Sequence, residues 1–157
     1  MTRLTVGVET PRQVEVLDLL QQSDAYSGSL YPVEGRRPLG ADTLSAPGVY
    51  FFVARLEGVA VGCCALSEQG GGMGKLKRMI VDKGARQQGT GRALLAAVEA
   101  SAVRIGLRLI QMEVGARSIG AHALYRGAGY RDCGPFGAHR LSPHSIFLEK
   151  QVGTDAA

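Results

Sequence analysis

The chain has 157 residues, 45% of them hydrophobic and 20% charged, with a net charge of +4. This is enough for one hydrophobic core and short for two. No apolar run approaches the roughly 18 residues that a membrane helix needs, and the N-terminus lacks the apolar stretch of a secretory signal. A soluble cytoplasmic protein is expected, with one domain over residues 1–152 and a frayed tail at 153–157. Three cysteines fit no disulfide framework, and the adjacent pair Cys63 and Cys64 sits inside the apolar run "VAVGCCAL", so no metal is expected.

Taken in chain order, "RLTVGV" alternates as a strand does, and "PRQVEVLDLLQQSD" carries Val14, Leu17 and Leu20 near helical spacing, with Pro11 suited to a first turn. Residues 25–48 are rich in Gly, Pro and Ser and predict a long loop holding one short helix around Asp42 to Leu44. A loop of that length in a small domain is expected to be either mobile or a lid that contacts a ligand. "VYFFVARL" and "VAVGCCAL" predict a hairpin turning at Glu57 and Gly58, and the glycines of "GGGMG" a turn before the strand "KLKRMIV". Leu94, Leu95, Val98, Ala102 and Ile105 fall on one helical face, with Gly106 as the C-terminal stop. "LRLIQMEV" predicts a strand, "SIGAHALYRGAG" a short helix, and "YRDC" and "HSIFLEKQV" two last strands. The order is β, α, loop, β, β, β, α, β, α, β, β, in which the meander favours antiparallel pairing and the unit at 75–114 a parallel crossover. An α/β (α+β) fold with a mixed, mostly antiparallel sheet of six to seven strands is expected.

Chemistry concentrates at "DKGARQQGTGRALL". Lys75, Lys77, Arg78, Lys83, Arg86 and Arg92 face a single acid, Asp82, over this region, and glycines precede a helix start. Unpaired amides and the positive helix end there suit an anion such as a phosphate, although an ordinary glycine turn would read the same way. A Walker loop fails, because Thr90 stands where Lys is needed and Gly91 where Ser or Thr is needed. A dinucleotide fingerprint fails at Leu94.

What remains, Arg86-Gln87-Gln88-Gly89-Thr90-Gly91, resembles the R/Q-x-x-G-x-G/A turn of the GCN5-related N-acetyltransferase (GNAT) superfamily. "SIGAHALYRGAGY" is similar to that family's later helix, with Ala121, Leu124, Tyr125, Gly129 and Tyr130 in register and Ser118 in place of the usual Asn. "SLYPVEG", "KLKRMIV", "MEVG" and "FGAHRLSPHSIFLEK" resemble a subgroup of small bacterial members, with departures at Val33, Lys75, Val114, His139, Ser142 and His144. The resemblance implies a single-domain GNAT fold and acetyl-CoA (coenzyme A) as cofactor. Met79, Ile80 and Val81 would face the pantetheine arm, and Arg86, Gln87, Gln88, Gly89, Thr90, Gly91 and Arg92 the pyrophosphate, with Ser118 near the cofactor.

By the same resemblance, Tyr125 would be the general acid to the departing sulfur, its alternative being a core aromatic. The backbone N–H of Met79 would polarise the carbonyl. Lys75 stands where relatives carry a catalytic Glu, and a protonated Lys cannot accept a proton. Glu113 is the best remaining carboxylate for a base, Glu34 stands behind it, and a salt-bridged Glu113 or a water relay are open alternatives. Tyr31, Glu34, Arg78 and His139 are the expected acceptor-side residues.

The expected activity is acetyl-CoA-dependent N-acetyl transfer to a primary amine, whether small molecule, amino acid or peptide, by direct attack in a ternary complex. The alternative is a non-catalytic acyl-CoA-binding or regulatory module. No nucleic-acid or membrane partner is expected, since no basic stripe interleaved with aromatics appears. A homodimer paired through the last strands would be ordinary for the family.

Overall fold

The computed structural model describes residues 3–30, 40–86, 88–136 and 143–153. Seven strands form one sheet in the order β1-β2-β3-β4-β5-β7-β6. They are β1 (Leu4–Val8), β2 (Val49–Leu56), β3 (Val59–Gly70), β4 (Met73–Val81), β5 (Leu109–Gly115), β6 (Arg131–Cys133) and β7 (Ser145–Gln151). Every neighbouring pair is antiparallel except β4 and β5, which are parallel and joined by the crossover helix α3 (Thr90–Arg104). The mixed sheet and the element order are as the sequence predicts. Among the described residues no helix is long and apolar enough to cross a membrane.

The turns follow local chemistry. Glu57 and Gly58 both take positive φ, 51° and 83°, which is the mirror-image turn whose twist matches a two-residue hairpin. The predicted stripe on α3 is the buried one: Leu94, Leu95, Val98 and Ala102 pack against Phe52, Cys64, Leu66, Ile110 and Leu148 from the sheet. Helix α4 (Ile119–Gly127) joins the same face through Tyr125 and Leu124. Close approach of α3 to the sheet depends on Gly62, where an added Cβ would lie 2.9 Å from the Ile80 carbonyl and 3.0 Å from Thr90 Cγ2.

The opposite face carries α1 (Val14–Leu30) and α2 (Ala41–Leu44) over Phe51, Val53, Cys63, Ala65 and Ile80. Here the structure departs from the sequence reading in two ways. Helix α1 continues through residues 25–30, which were expected to be loop, because extending an existing helix costs far less than starting one and no proline intervenes before Pro32. Its buried stripe is Val16, Leu19 and Leu20, whereas Val14 is 75% exposed. Both stripes satisfy a 3.6-residue period, so only packing against the sheet decides between them.

Candidate active site

The site is organised by a fork in the sheet. Strands β4 and β5 pair only at Met73–Leu109, Gly74–Ile110 and Lys75–Gln111, and beyond that point β4 stays with β3 while β5 stays with β7. Just past the last rung, β4 bulges. Lys77 pairs with Ala65 and Ile80 with Cys63, so Arg78 and Met79 together oppose Cys64 and have no rung of their own. Arg78 takes φ 54°, a left-handed conformation rare outside glycine. Such a bulge re-aims backbone amides and side chains that a regular ladder would hold in line.

The strain at Arg78 is held by its side chain. Its Nη1 lies 2.7 Å from Asp24 Oδ1 and its Nη2 donates to the Leu20 carbonyl at 3.1 Å, both on α1. The Arg78 side chain is 12% exposed and its Nε is buried with no hydrogen-bond partner among the described residues, while Asp24 is 40% exposed. Asp24, Arg78, Leu17, Leu20 and Gln21 line a cleft of about 400 Å³ that Gly40 and Ala41 close from the other side. Arg78 therefore lines this cleft with its guanidinium committed to α1. Asp24 was not foreseen, because 54 residues separate it from Arg78 and only the fold brings them together.

After β4 the chain turns through Lys83–Ala85, with Asp82 accepting from the Gly84 amide at 3.1 Å, and enters α3. Gly89 is the N-cap, with φ 81° and no side-chain cap. The first bond inside the helix runs from the Ala93 amide to the Gly89 carbonyl, so the amides of Thr90, Gly91 and Arg92 point out of the helix start. A Cβ on Gly89 would meet nothing within 4 Å among the described residues. The uncapped, glycine-lined helix end thus fits an anion. The side chains divide differently. Thr90 is buried and its hydroxyl donates to the Ala85 carbonyl at 3.4 Å, so it can offer only its backbone. Gln88 reaches back to the Gly84 carbonyl and Arg86 to the Val81 carbonyl.

The two sequence motifs meet here. A Cβ on Gly91 would lie 2.8 Å from Leu124 Cδ2, and one on Gly127 would lie 3.4 Å from Arg92 Nη2, so the start of α3 packs directly on α4. Tyr125, on the last turn of α4, is 5% exposed and stacks edge-to-face on Tyr130 at 6.1 Å. Its phenol makes no hydrogen bond to a described residue. Burial, with a smaller contribution from Cys64, pushes its pKa up, so the hydroxyl keeps its proton at neutral pH.

The model of the Acetyltransferase (GNAT) family matches residues 15–130. The IAA acetyltransferase of Azospirillum brasilense is 40% identical over 97% of this chain and 100% of its own length. The chain belongs to the GNAT acetyltransferase family. It is an acetyltransferase, and its fold agrees with those of solved members. A Klebsiella pneumoniae structure described as an acyl-CoA N-acyltransferase superposes with a TM-score of 0.81 at 30% identity, covering 95% of this chain and 97% of that one. The PaiA N-acetyltransferase of Thermoplasma acidophilum, solved in complex with coenzyme A, shares the fold with a TM-score of 0.77 at 14% identity, covering 95% and 99%.

Against this GNAT frame the remaining expected residues fall as follows. Met79 and Val81 pack toward α3 and Ile80 toward α1, so β4 beyond the fork presents its backbone edge to the gap. Ser118 opens α4, its carbonyl accepting the His122 amide at 3.1 Å. Glu113 is exposed on β5, two residues past the last β4–β5 rung. Lys75 stands at that rung with its ammonium 5.8 Å from the centre of the Phe136 ring. Burial and then Lys77 pull its pKa down, while Glu113 opposes them. Glu113 and Lys75 therefore sense each other across the fork. Tyr31, Glu34, Arg36, Arg37, Gln87, His139 and residues 154–157 lie outside the described residues.

Proposed function

We propose that residues 1–152 act as one domain that transfers an acetyl group from acetyl-CoA to a primary amine by direct attack in a ternary complex. The observation that carries this reading is the junction of an uncapped helix start at Gly89–Arg92 with a buried, protonated Tyr125 beside a forked sheet. The amides of Thr90, Gly91 and Arg92 would hold the pyrophosphate, with Arg86, Gln87 and Gln88 around it, and the inner edge of Met79, Ile80 and Val81 the pantetheine. Ser118 would border the cofactor at the start of α4. Acetyl-CoA, when bound, supplies the acetyl group as an activated thioester.

The bulge at Arg78 leaves Met79 without a ladder rung, so its amide would be available as a donor to developing negative charge on an acyl oxygen. Tyr125 holds a proton for a departing sulfur, its raised pKa keeping it neutral until then. An alkylamine has a pKa of about 10.4, so reaching its neutral form at pH 7 costs roughly 4 kcal/mol and favours assistance by a base. Glu113, exposed on β5 two residues past the last β4–β5 rung, is the carboxylate we assign to that role. The cleft of Leu17, Asp24 and Arg78 supports an acceptor entering from the α1 side, and by the family resemblance Tyr31, Glu34 and His139 would contribute to its recognition. The name of the Azospirillum relative places IAA on the panel of acceptors to test, beside amines, amino acids and peptides.

The deciding experiment is acetylation of that panel followed by free-thiol release. Tyr125→Phe should lower kcat roughly 10²-fold with acetyl-CoA KM nearly unchanged. Equal turnover by the variant would remove Tyr125 from the acid role. Cofactor binding without transfer to any acceptor would favour a non-catalytic acyl-CoA-binding module.

A further inference from the structure

Tyr125 has no hydrogen bond among the described residues to aim its hydroxyl, so its direction is set by what holds its ring and backbone. The ring rests edge-to-face on Tyr130 at an interplanar angle of 65°. The backbone is pinned at the helix end, where the Tyr125 carbonyl accepts both the Ala128 and the Tyr130 amides at 3.0 Å.

Tyr130 is itself anchored. Its hydroxyl donates to Glu99 Oε2 on α3 at 3.2 Å, and Glu99 Oε1 accepts from Lys150 Nζ on β7 at 2.7 Å. Lys150 also donates to the Ala128 carbonyl at 2.8 Å and lies 5.7 Å from the centre of the Tyr130 ring. The bonds form a closed circuit from the end of α4 through Tyr130 to α3, on to β7, and back to the end of α4. Tyr130 is 2% exposed, so its buried hydroxyl needs the partner that Glu99 provides. Placing a hydroxyl, a carboxylate and an ammonium at such a site contributes little net stability over apolar side chains of like size. What the circuit adds is a fixed direction for the aromatic wall behind Tyr125.

Resting on the reading of Tyr125 as the acid, we propose that Tyr130, Glu99 and Lys150 are positioning residues that fix where the Tyr125 hydroxyl points. They act through Tyr125 and touch neither substrate nor cofactor. Loss of alignment at a reacting centre lowers turnover without weakening binding made elsewhere.

The test is a double-mutant cycle on the full chain, comparing wild type, Tyr125→Phe, Tyr130→Phe and the double variant. Tyr130→Phe should lower kcat roughly tenfold and leave acetyl-CoA KM nearly unchanged. The double variant should be no slower than Tyr125→Phe alone, because without the Tyr125 hydroxyl there is nothing left to aim. A merely structural Tyr130 would slow Tyr125→Phe further by its own factor, and that multiplicative result would overturn the proposal, as would unchanged kcat in Tyr130→Phe. Full activity in Tyr125→Phe would instead overturn the acid assignment and the positioning role with it. Should Tyr130→Phe fold poorly, Glu99→Gln and Lys150→Met carry the same cycle from the other two corners of the circuit.

Discussion

The face of the sheet that carries α3 and α4 is filled mainly by aliphatic and aromatic side chains, with the Glu99–Lys150 ion pair joining α3 to β7, whereas the face that carries α1 is held over a smaller apolar patch by several ion pairs. On the first face Leu94, Leu95, Val98, Ile110 and Leu148 are almost wholly buried and Gly62 lets the helix approach the strands. On the second, Arg55 binds Glu9 at 2.8 Å and Glu15 at 3.4 Å near the start of α1, and Arg78 binds Asp24 further along it. Close packing tolerates little displacement, while exposed and half-exposed ion pairs are individually weak and screened by salt. The contrast suits the division of labour proposed above, in which a constant cofactor docks on the α3 and α4 side and a variable acceptor enters beside α1.

The largest break in this contrast should come from Gly62→Val. Its side chain would run into the Ile80 carbonyl and Thr90, so about 2–3 kcal/mol of stability should be lost in urea denaturation, and with it acetyl-CoA-dependent protection. Full stability in this variant would show that the α3 face is looser than its packing indicates. Asp24→Asn should do less and act on the other face. It leaves the Arg78 charge without its carboxylate at the strained bulge, and a cost of about 1 kcal/mol is expected, since Asp24 is partly solvated. Acceptor KM should rise while acetyl-CoA binding by calorimetry stays the same, and equal loss of both would erase the distinction between the faces. The smallest effect concerns acid. The hydrogen bond from Arg55 holds the Glu9 carboxyl below its usual range, so the pair stabilises the fold above that range and the contribution fades as pH falls through the lowered value. Hydrogen-exchange protection factors, corrected for the intrinsic rate at each pH, should therefore fall in the first turns of α1 on acidification before they fall in α3, and the reverse order would sharpen the comparison in the opposite sense.

The same division governs what could be read from the residues alone. The turn at Glu57 and Gly58, the stripe on α3 and the stop at Gly106 are all encoded within a few positions, as are the glycine turn before α3 and the segment around Tyr125. The phase of α1 was not, because Val14, Leu17 and Leu20 are as regular as the stripe that the sheet selects. At the site, side chains defined by a local motif were legible, whereas those defined by a partner far along the chain were not. Asp24 acquires its meaning only beside Arg78, and Glu99 only beside Lys150, which is 51 residues away. Tyr130 was legible as a motif position, but its bond to Glu99 was not, because 31 residues separate the two.

The fork between β4 and β5 has one more consequence. A sheet that splits internally owns two extra edges, and unpaired edges are where foreign strands attach and aggregates begin. These two edges face each other and converge on the rung at Lys75 and Gln111, so another sheet has no open side from which to extend the ladder. On the reading proposed above, a lone extended molecule with amide groups would enter from the open end, so the gap would select by shape before any side chain is consulted.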